Sequence, residues 1–496
     1  METRTYLSVA VLTYVAGIIL LTYLGKRKKQ SIESFSIGTK AANPIVVGLS
    51  LCVGMTSAAT FVINPGLIYL YGLSGFLGYG IAAPLGIYLG LIIMSKRFFQ
   101  IGEQTKVLTV PHWIGERYKS KFFAIFFALT SFLQITFSVL IAVGITVVLA
   151  NSFHTSYELV LIIVLLFSVG YLIVGGGANV LLLSNTLQAG FMIITAVMFL
   201  LSGPVILGLD PITVLIDLSK IDKNLVSITN PASLLFRDFF EVFVANFLIG
   251  IAIICQPHII SKALYLKSTK DLNKYFATVV IVSTLFFFVL FTGLYARIAL
   301  VGHMLKPDQV IATYINKAFP PFILAVITLG ILSAGLSTLD NIFIALSTIF
   351  SVNIFKEILM KVRPNLEEQK HKDILLISSK IFLLVLGIII YFLSVNQIYH
   401  PNLSVAIFAQ NGVYGLFVTV FWPILLGLFV PNVRKITAFV ASLIALVTHF
   451  GFYYFEITKY HNNPGVTASF ALIFSAIFVM FSILISKKEQ HDALAS

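Results

Sequence analysis

The sequence predicts an all-helical polytopic membrane protein with about 13 transmembrane helices. Of its 496 residues, 58% are hydrophobic and 11% are charged, and the mean hydropathy is +0.98. A soluble domain carries about 25% charged residues, so this chain is too apolar to be one. Apolar runs recur along the whole chain, and nearly all of them reach the roughly 20 residues that a helix needs to cross a bilayer.

The apolar runs define the predicted spans in chain order. The first seven are Tyr6–Gly25, Ile45–Tyr71, Gly75–Met94, Phe122–Val148, Leu159–Val174, Val180–Leu207 and Phe239–Ile260. The others are Tyr275–Val301, Pro321–Phe350, Ile374–Leu393, Leu403–Phe429, Ile436–Phe455 and Val466–Ile485. Both cysteines, Cys52 and Cys255, fall inside these runs, so their spacing predicts neither a disulfide framework nor a metal site.

The basic residues predict the orientation of the chain. Most of the 33 Lys and Arg residues lie in segments between alternate spans, namely 26–42, 96–121, 261–274, 355–372, 431–435 and the tail from Lys487. The positive-inside rule makes these segments cytoplasmic, with the N-terminus outside and the C-terminus inside the plasma (inner) membrane. The first span precedes the basic cluster Lys26–Lys29, the reverse of a signal peptide, so we expect it to be retained. The net charge of +13 therefore reflects topology, and we expect a lipid bilayer rather than nucleic acid as partner.

Two spans are interrupted by glycine, proline and polar residues. The second span contains Val53-Gly54-Met55-Thr56-Ser57-Ala58-Ala59-Thr60 and then Asn64-Pro65, and Pro65 should bend or break the helix nearby. The seventh contains Gly250 and Cys255-Gln256-Pro257-His258. Lipid cannot satisfy freed carbonyls, so an opened backbone must face a cavity or an ion. Each proline alone could mark an ordinary kink. A pair of interrupted spans five apart predicts an inverted repeat and the binding site of a secondary transporter.

The ninth span carries a polar stripe. At about 100° per residue, Ala334, Ser337, Thr338 and Asn341 fall within one helical face, and Asp340 lies about 60° beyond Ser337. Hydroxyl and amide oxygens suit a hard cation and hold it weakly enough to let it leave. The alternative is that these hydroxyls bond their own backbone or join neighbouring helices.

With these features in place, several segments together resemble the sodium/solute symporter family over essentially the whole chain. They are Ser57-Ala58-Ala59-Thr60-Phe61 with Pro65-Gly66-Leu67-Ile68-Tyr69-Leu70-Tyr71-Gly72, Thr109 to Tyr118, Gly176-Gly177 through Gln188, and Ala334 with Ser337-Thr338. Gln256-Pro257-His258-Ile259 is similar to the proline permease branch, and the segment from Phe421 to Phe429 to the pantothenate permease branch.

The resemblance implies a domain organisation and a sodium site. Residues 1–42 would hold a peripheral first helix, 43–208 and 209–430 two inverted five-helix repeats with broken first helices, and 431–496 two trailing helices. The coupling sodium ion would bind backbone carbonyls of the second span and oxygens of the ninth. The residues carried over for it are Val53, Thr56, Ala334, Ser337 and Thr338.

A second ion site is a further expectation. Some family members use an aspartate at the position of Asn185, and that acid is missing here. Asp340, with Asn341 beside it, could supply the lost charge, since an ionisable group inside a span is by default functional. The alternative is that Asp340 already touches cytoplasmic water.

The solute is expected to contact polar side chains around the central cavity. The candidates are Ser57, Thr60, Asn64, Gln134, Cys255, Gln256, Gln410 and Asn411, and each could instead be an interhelical hydrogen bond. His258 and Lys262, near the cytoplasmic end, are expected to meet water or lipid phosphate. Thr60 stands where sugar-binding relatives place a glutamine. The expected solute is therefore small, organic and carboxylate-bearing, such as proline, pantothenate or a monocarboxylate, and a sugar or sialic-acid-type solute is the alternative.

Other classes of membrane protein fit less well. The sequence has no repeated pore motif, no phosphate-binding GxxxxGK[ST] loop and no convergent acids or metal cluster inside the spans. We therefore expect a sodium-coupled secondary active symporter that works by alternating access, and not an enzyme. A substrate-sensing receptor of the same fold, without net transport, is the remaining alternative.

Overall fold

The computed structural model of the protein describes residues 2–25, 30–38, 42–175, 177–401 and 404–495. The basic cluster Lys26–Lys29, and the residues Gly176 and Leu403, lie outside the described residues. Within those ranges every regular element is helical, as the apolar composition predicts.

The described residues contain 11 continuous helices able to cross a membrane and two bent helix pairs, which make 13 spans when each pair counts as one. The first seven spans are α1 Arg4–Gly25, α2 Pro44–Met55 with Ala59–Tyr71, α3 Leu73–Thr105, α4 Lys121–Phe153, α5 Tyr157–Gly175, α6 Ala178–Ile206, and α7 Phe240–Ile253 with Pro257–Tyr265. The others are α8 Thr269–Ala299, α9 Pro321–Val362, α10 Glu368–Tyr399, α11 Val405–Phe429, α12 Lys435–Tyr454 and α13 Pro464–Ile485. The fold prediction is confirmed. Shorter helices between the spans include Ile32–Ile37, Val110–Arg117, Pro211–Ile221 and Pro307–Ala318.

The two bent spans are the predicted pair. The halves of α2 meet at 56° and those of α7 at 58°. In α7 the break comes directly before Pro257, which occupies the first turn of the second half, where its missing N–H costs nothing.

In α2 the break lies earlier than Pro65 suggests. It falls at residues 56–58, and a π-helical turn, Ala59–Ile63, then leads into Asn64 and Pro65. The wider turn accommodates the proline within the second half of the span, so Pro65 does not mark the break. The hydroxyl of Ser57 accepts the N–H of Ala59 at 3.1 Å and thereby starts the second half.

The bent spans begin two inverted sets of five helices, α2–α6 and α7–α11. α2, α3, α7 and α8 pack together, and α4, α5, α9 and α10 form a second group beside them. Glycines allow the closest approach in the first group. A Cβ at Gly86 of α3 would lie 2.2 Å from the carbonyl oxygen of Phe247, and one at Gly250 of α7 would lie 2.2 Å from that of Ala83. Larger residues at either glycine would force α3 and α7 apart.

The loops rich in Lys and Arg meet at one end of the helix bundle, which we call the basic end. Lys121 lies 3.5 Å from Glu357, and Lys372 lies 3.3 Å from Glu33. Arg117 donates to the carbonyl of Gly427 at 2.6 Å. These contacts join loops that the charge pattern assigns to the same side.

The remaining connections meet at the opposite end. There Arg4 donates to the carbonyl of Phe153 at 2.9 Å, and Asn230 donates to that of Tyr71 at 3.2 Å. α1 therefore starts at this end, and α13, after crossing the bundle, finishes at the basic end.

Of the 11 continuous spans among the described residues, α9 is buried to the greatest extent, over 83% of its most apolar stretch. It contacts α1, α2, α4 and α6. Because burial of an unpaired polar group is costly, most hydroxyl, amide and carboxyl groups of α9 bond to protein. The hydroxyl of Thr348 is an exception, with no partner among the described residues.

Candidate functional site

The predicted sodium-site residues come together where the break in α2 faces α9. The hydroxyl groups of Ser337 and Thr338 both donate to the carbonyl oxygen of Val53, at 2.8 and 3.0 Å. The same hydroxyl oxygens lie 3.1 and 3.3 Å from the carbonyl oxygen of Ala334. Four oxygen atoms from two helices thus converge at a point that is fully buried.

The end of the first half of α2 explains why the Val53 carbonyl is open to this contact. The last carbonyls of a helix have no intrahelical partner, and they carry the negative end of its dipole. Thr56 lies in the break, and its hydroxyl donates back to Cys52 at 2.6 Å. Its position after the last turn of the first half makes the carbonyl oxygen of Thr56 a further candidate ligand. Such a set of neutral oxygens at a helix C-terminus can bind a hard cation reversibly.

The residues of the expected second ion site lie in separate hydrogen-bonded groups. Asn341 donates to the carbonyl of Ser337 at 2.6 Å, beside Gly54. Asn185 donates to Ser50 at 2.7 Å, and Lys262 donates to the same hydroxyl at 3.0 Å.

Asp340 faces α5. Its two carboxylate oxygens accept hydrogen bonds from Ser168 and Tyr171, and the side chain has no exposed surface. The alternative in which Asp340 touches cytoplasmic water is therefore wrong.

The expectation for His258 and Lys262 is also wrong. They are 3% and 2% exposed, so neither reaches bulk water or lipid phosphate. The bend in α7 turns its second half, Pro257–Tyr265, inward, where it contacts α2, α3 and α9.

A central cavity of about 110 Å³ lies beside the break in α2. Five of the predicted solute residues line it: Ser57, Thr60, Asn64, Gln256 and Gln410. Sequence reasoning missed the other polar and aromatic residues of the wall, which are Tyr79, Phe137, Asn246, Phe287, Tyr414 and Phe417. Gln410 donates to the hydroxyl of Tyr79 at 2.9 Å, so α11 and α3 are joined across the cavity.

The other predicted solute residues lie behind this wall. Cys255 faces Met94, with their sulfur atoms 3.9 Å apart. Asn411 donates to the hydroxyl of Tyr454 at 3.1 Å. Both therefore belong to contacts between helices. The third, Gln134, is part of a network that joins the two breaks.

Gln134 of α4 connects α7 with α2. Its amide nitrogen lies 2.9 Å from Oε1 of Gln256 and 2.6 Å from Nδ1 of His258. An amide N–H can only donate, so Nδ1 accepts and the imidazole is neutral, with its proton on Nε2. Nε2 then donates to the carbonyl oxygen of Gly54 at 3.2 Å. One chain of hydrogen bonds thus runs from the cavity wall at Gln256 to the residue next to Val53.

Known proteins resemble this chain over most of its length. The model of the sodium:solute symporter family matches residues 35–445. The chain is 26% identical over 444 residues to a sodium/pantothenate symporter of Haemophilus influenzae, covering 88% of this chain and 87% of that protein. It is 22% identical over 511 residues to a sodium/proline symporter of the same organism, covering 97% and 95%.

A solved structure shares the fold. A Na⁺-coupled sialic acid symporter in a substrate-bound outward-open state matches with a TM-score of 0.74 at 14% identity, over 97% of this chain and 98% of that one. The family match covers most of the chain and includes both bent spans and the hydroxyl stripe of α9. The chain therefore belongs to the sodium:solute symporter family.

Proposed function

We propose that this protein uses the sodium gradient to import a small carboxylate-bearing solute across the plasma membrane. The observation that carries the proposal is the convergence of the Ser337 and Thr338 hydroxyls on the freed Val53 carbonyl. In this proposal the ion binds those three residues together with the carbonyls of Ala334 and Thr56. The family match and the sodium-coupled relatives support sodium as the ion.

The central cavity supports a carboxylate-bearing solute. The described residues that line it offer hydroxyl, amide and phenol groups but no charged side chain. The second half of α2 begins at the cavity, and the N-terminus of a half-helix attracts an anionic group. A sodium ion at the neighbouring break would balance the charge of the carboxylate. The pantothenate and proline symporters among the relatives are consistent with a solute of this type.

Sodium dependence tests the proposal. Purified protein in proteoliposomes should take up pantothenate or proline when sodium is supplied outside, and replacement by potassium or choline at constant pH should abolish accumulation. A panel of amino acids, monocarboxylates and sugars in the same vesicles separates carboxylate-bearing solutes from sugars. Accumulation driven by a proton gradient, with rates unchanged in the absence of sodium, would contradict the proposal.

We propose that the basic end is cytoplasmic and that the five-helix repeats span residues 43–208 and 209–430. Single cysteines at Lys370, at the basic end, and at His461, at the opposite end, test the orientation in a background without the buried Cys52 and Cys255. An impermeant thiol reagent outside intact cells should label His461→Cys and spare Lys370→Cys until the membrane is opened. Labelling of both from outside is incompatible with the proposed orientation.

A further inference from the structure

Lys262 is a buried lysine that has no acidic partner among the described residues. It lies in the last turn of α7, and its ammonium donates to Ser50 and sits 4.7 Å from the centre of the Tyr265 ring. Among the described residues, no carboxylate lies within 4.0 Å of it. An ammonium has three donors, and the hydrogen bond to Ser50 uses one of them. Burial of a charge is costly unless it is paired, so Lys262 is suited to an anion that arrives from elsewhere.

A small cavity surrounds Lys262. Its volume is about 20 Å³, enough for about one water molecule. Ser36, Thr109, Ser261, Asn341 and Thr348 supply polar groups to the wall, and none of the described lining residues is Asp or Glu. Ser36, Thr109 and Asn341 already donate to protein acceptors, but the buried hydroxyl of Thr348 has no hydrogen-bond partner among the described residues and can donate to an anion. No acidic side chain of the described lining would repel that anion.

The cavity of Lys262 lies between the central cavity and the basic end. Gln256 lines the central cavity, while its neighbours Pro257 and His258 line the cavity of Lys262. The hydrogen bonds of Gln134 to Gln256 and His258 link the walls of the two cavities. Ser36 and Thr109 belong to connections at the basic end, and Ser36 donates to Leu108 there at 2.9 Å. A route from the central cavity to the basic end along the second half of α7 would pass Lys262.

We propose that the cavity of Lys262 is a release site in which the ammonium binds the carboxylate of the solute on its way to the cytoplasm. The inference rests on the proposed function, because it requires a carboxylate-bearing solute and a cytoplasmic basic end. In this proposal the carboxylate leaves the neighbourhood of the sodium ion and pairs with the ammonium of Lys262. The negative charge is thereby compensated at each stage while the path opens to water.

Transport measured from each side of the membrane distinguishes a role in solute release from a general effect on transport. In proteoliposomes of uniform orientation, the solute concentration for half-maximal transport is measured from the outside by uptake and from the inside by efflux, with pantothenate and proline as probes. Loss of a charge-assisted hydrogen bond should raise the inside value for Lys262→Gln by about tenfold or more and change the outside value by less than about twofold. Lys262→Arg, which keeps the cation, should stay within about threefold of the unmodified protein on both sides. Lys267→Gln, at an exposed lysine five positions on, serves as the control and should change neither value.

A second measurement needs no variant. In the unmodified protein, a neutral amide of the same solute, added inside, should compete at least about tenfold less well than the carboxylate. Equal changes on both sides in Lys262→Gln, or equal competition by the amide and the carboxylate from inside, would overturn the release site. Absence of sodium-driven uptake by the unmodified protein would instead refute the proposed function, so the two failures are distinguishable.

Discussion

Ser337→Ala and Thr338→Ala are each expected to raise the sodium concentration for half-maximal uptake by about tenfold, equivalent to about 1.4 kcal/mol of binding free energy. Each substitution removes one of the four oxygens that converge between α2 and α9, and neither adds bulk. The loss should be larger for the double variant, because the carbonyls of Val53 and Ala334 alone would remain from that set. Sodium titration of solute uptake in proteoliposomes measures the effect, and Thr338→Ser, which keeps the hydroxyl, should restore most of the affinity.

Other hydroxyls of α9 provide the matched controls. Ser347 and Thr328 are buried and donate to backbone carbonyls of their own helix, at 3.1 and 2.8 Å. Ser347→Ala and Thr328→Ala therefore delete the same atoms without touching the break in α2, and should leave the sodium titration unchanged. If Ser337→Ala and Thr338→Ala show the same sodium dependence as the controls, the two hydroxyls do not bind sodium and only join α9 to α2.

The sequence predicts the parts of the site that depend on local pattern. The hydroxyls of Ser337 and Thr338 share a helical face, and Gly and Pro mark the spans that bend, so the facing of α2 and α9 follows once both spans are recognised. The position of the break in α2 cannot be read from the local pattern. It depends on the π-helical turn that accommodates Pro65, which composition does not reveal.

The rest of the site depends on tertiary packing. Gln134 is one polar residue in an apolar span. Its sequence context does not indicate whether its side chain faces the central cavity or bonds to a neighbouring helix. Lys262 follows an apolar run, which usually indicates a membrane surface, and only the bend of α7 buries it. Asp340 lies on the shoulder of the stripe, so a rotation of α9 by a few tens of degrees determines whether its side chain faces the ion or α5.

Asp340→Asn is expected to raise the sodium concentration for half-maximal uptake by about tenfold or more, although Asp340 does not contact the four converging oxygens. A helical offset of three residues separates it from Ser337, which corresponds to about 6–8 Å between the carboxylate and an ion held there. At an effective dielectric constant of about 20, a carboxylate and a cation at about 7 Å attract by about 2.4 kcal/mol. The described residues place no cationic side chain within 4.0 Å of Asp340, so its charge acts on an ion at the break without compensation.

Two further variants separate this charge effect from a second ion site shared with Asn185. Tyr171→Phe removes one hydrogen bond to Asp340 but keeps the acid, so it should change the sodium titration by less than about threefold. Asn185→Asp in the Asp340→Asn background should not restore sodium affinity. Asn185 and Lys262 meet at the hydroxyl of Ser50, and a carboxylate at position 185 would be neutralised by the ammonium. Restoration by Asn185→Asp would show that the two positions serve one cation, whereas normal transport by Asp340→Asn at limiting sodium would remove Asp340 from the mechanism altogether.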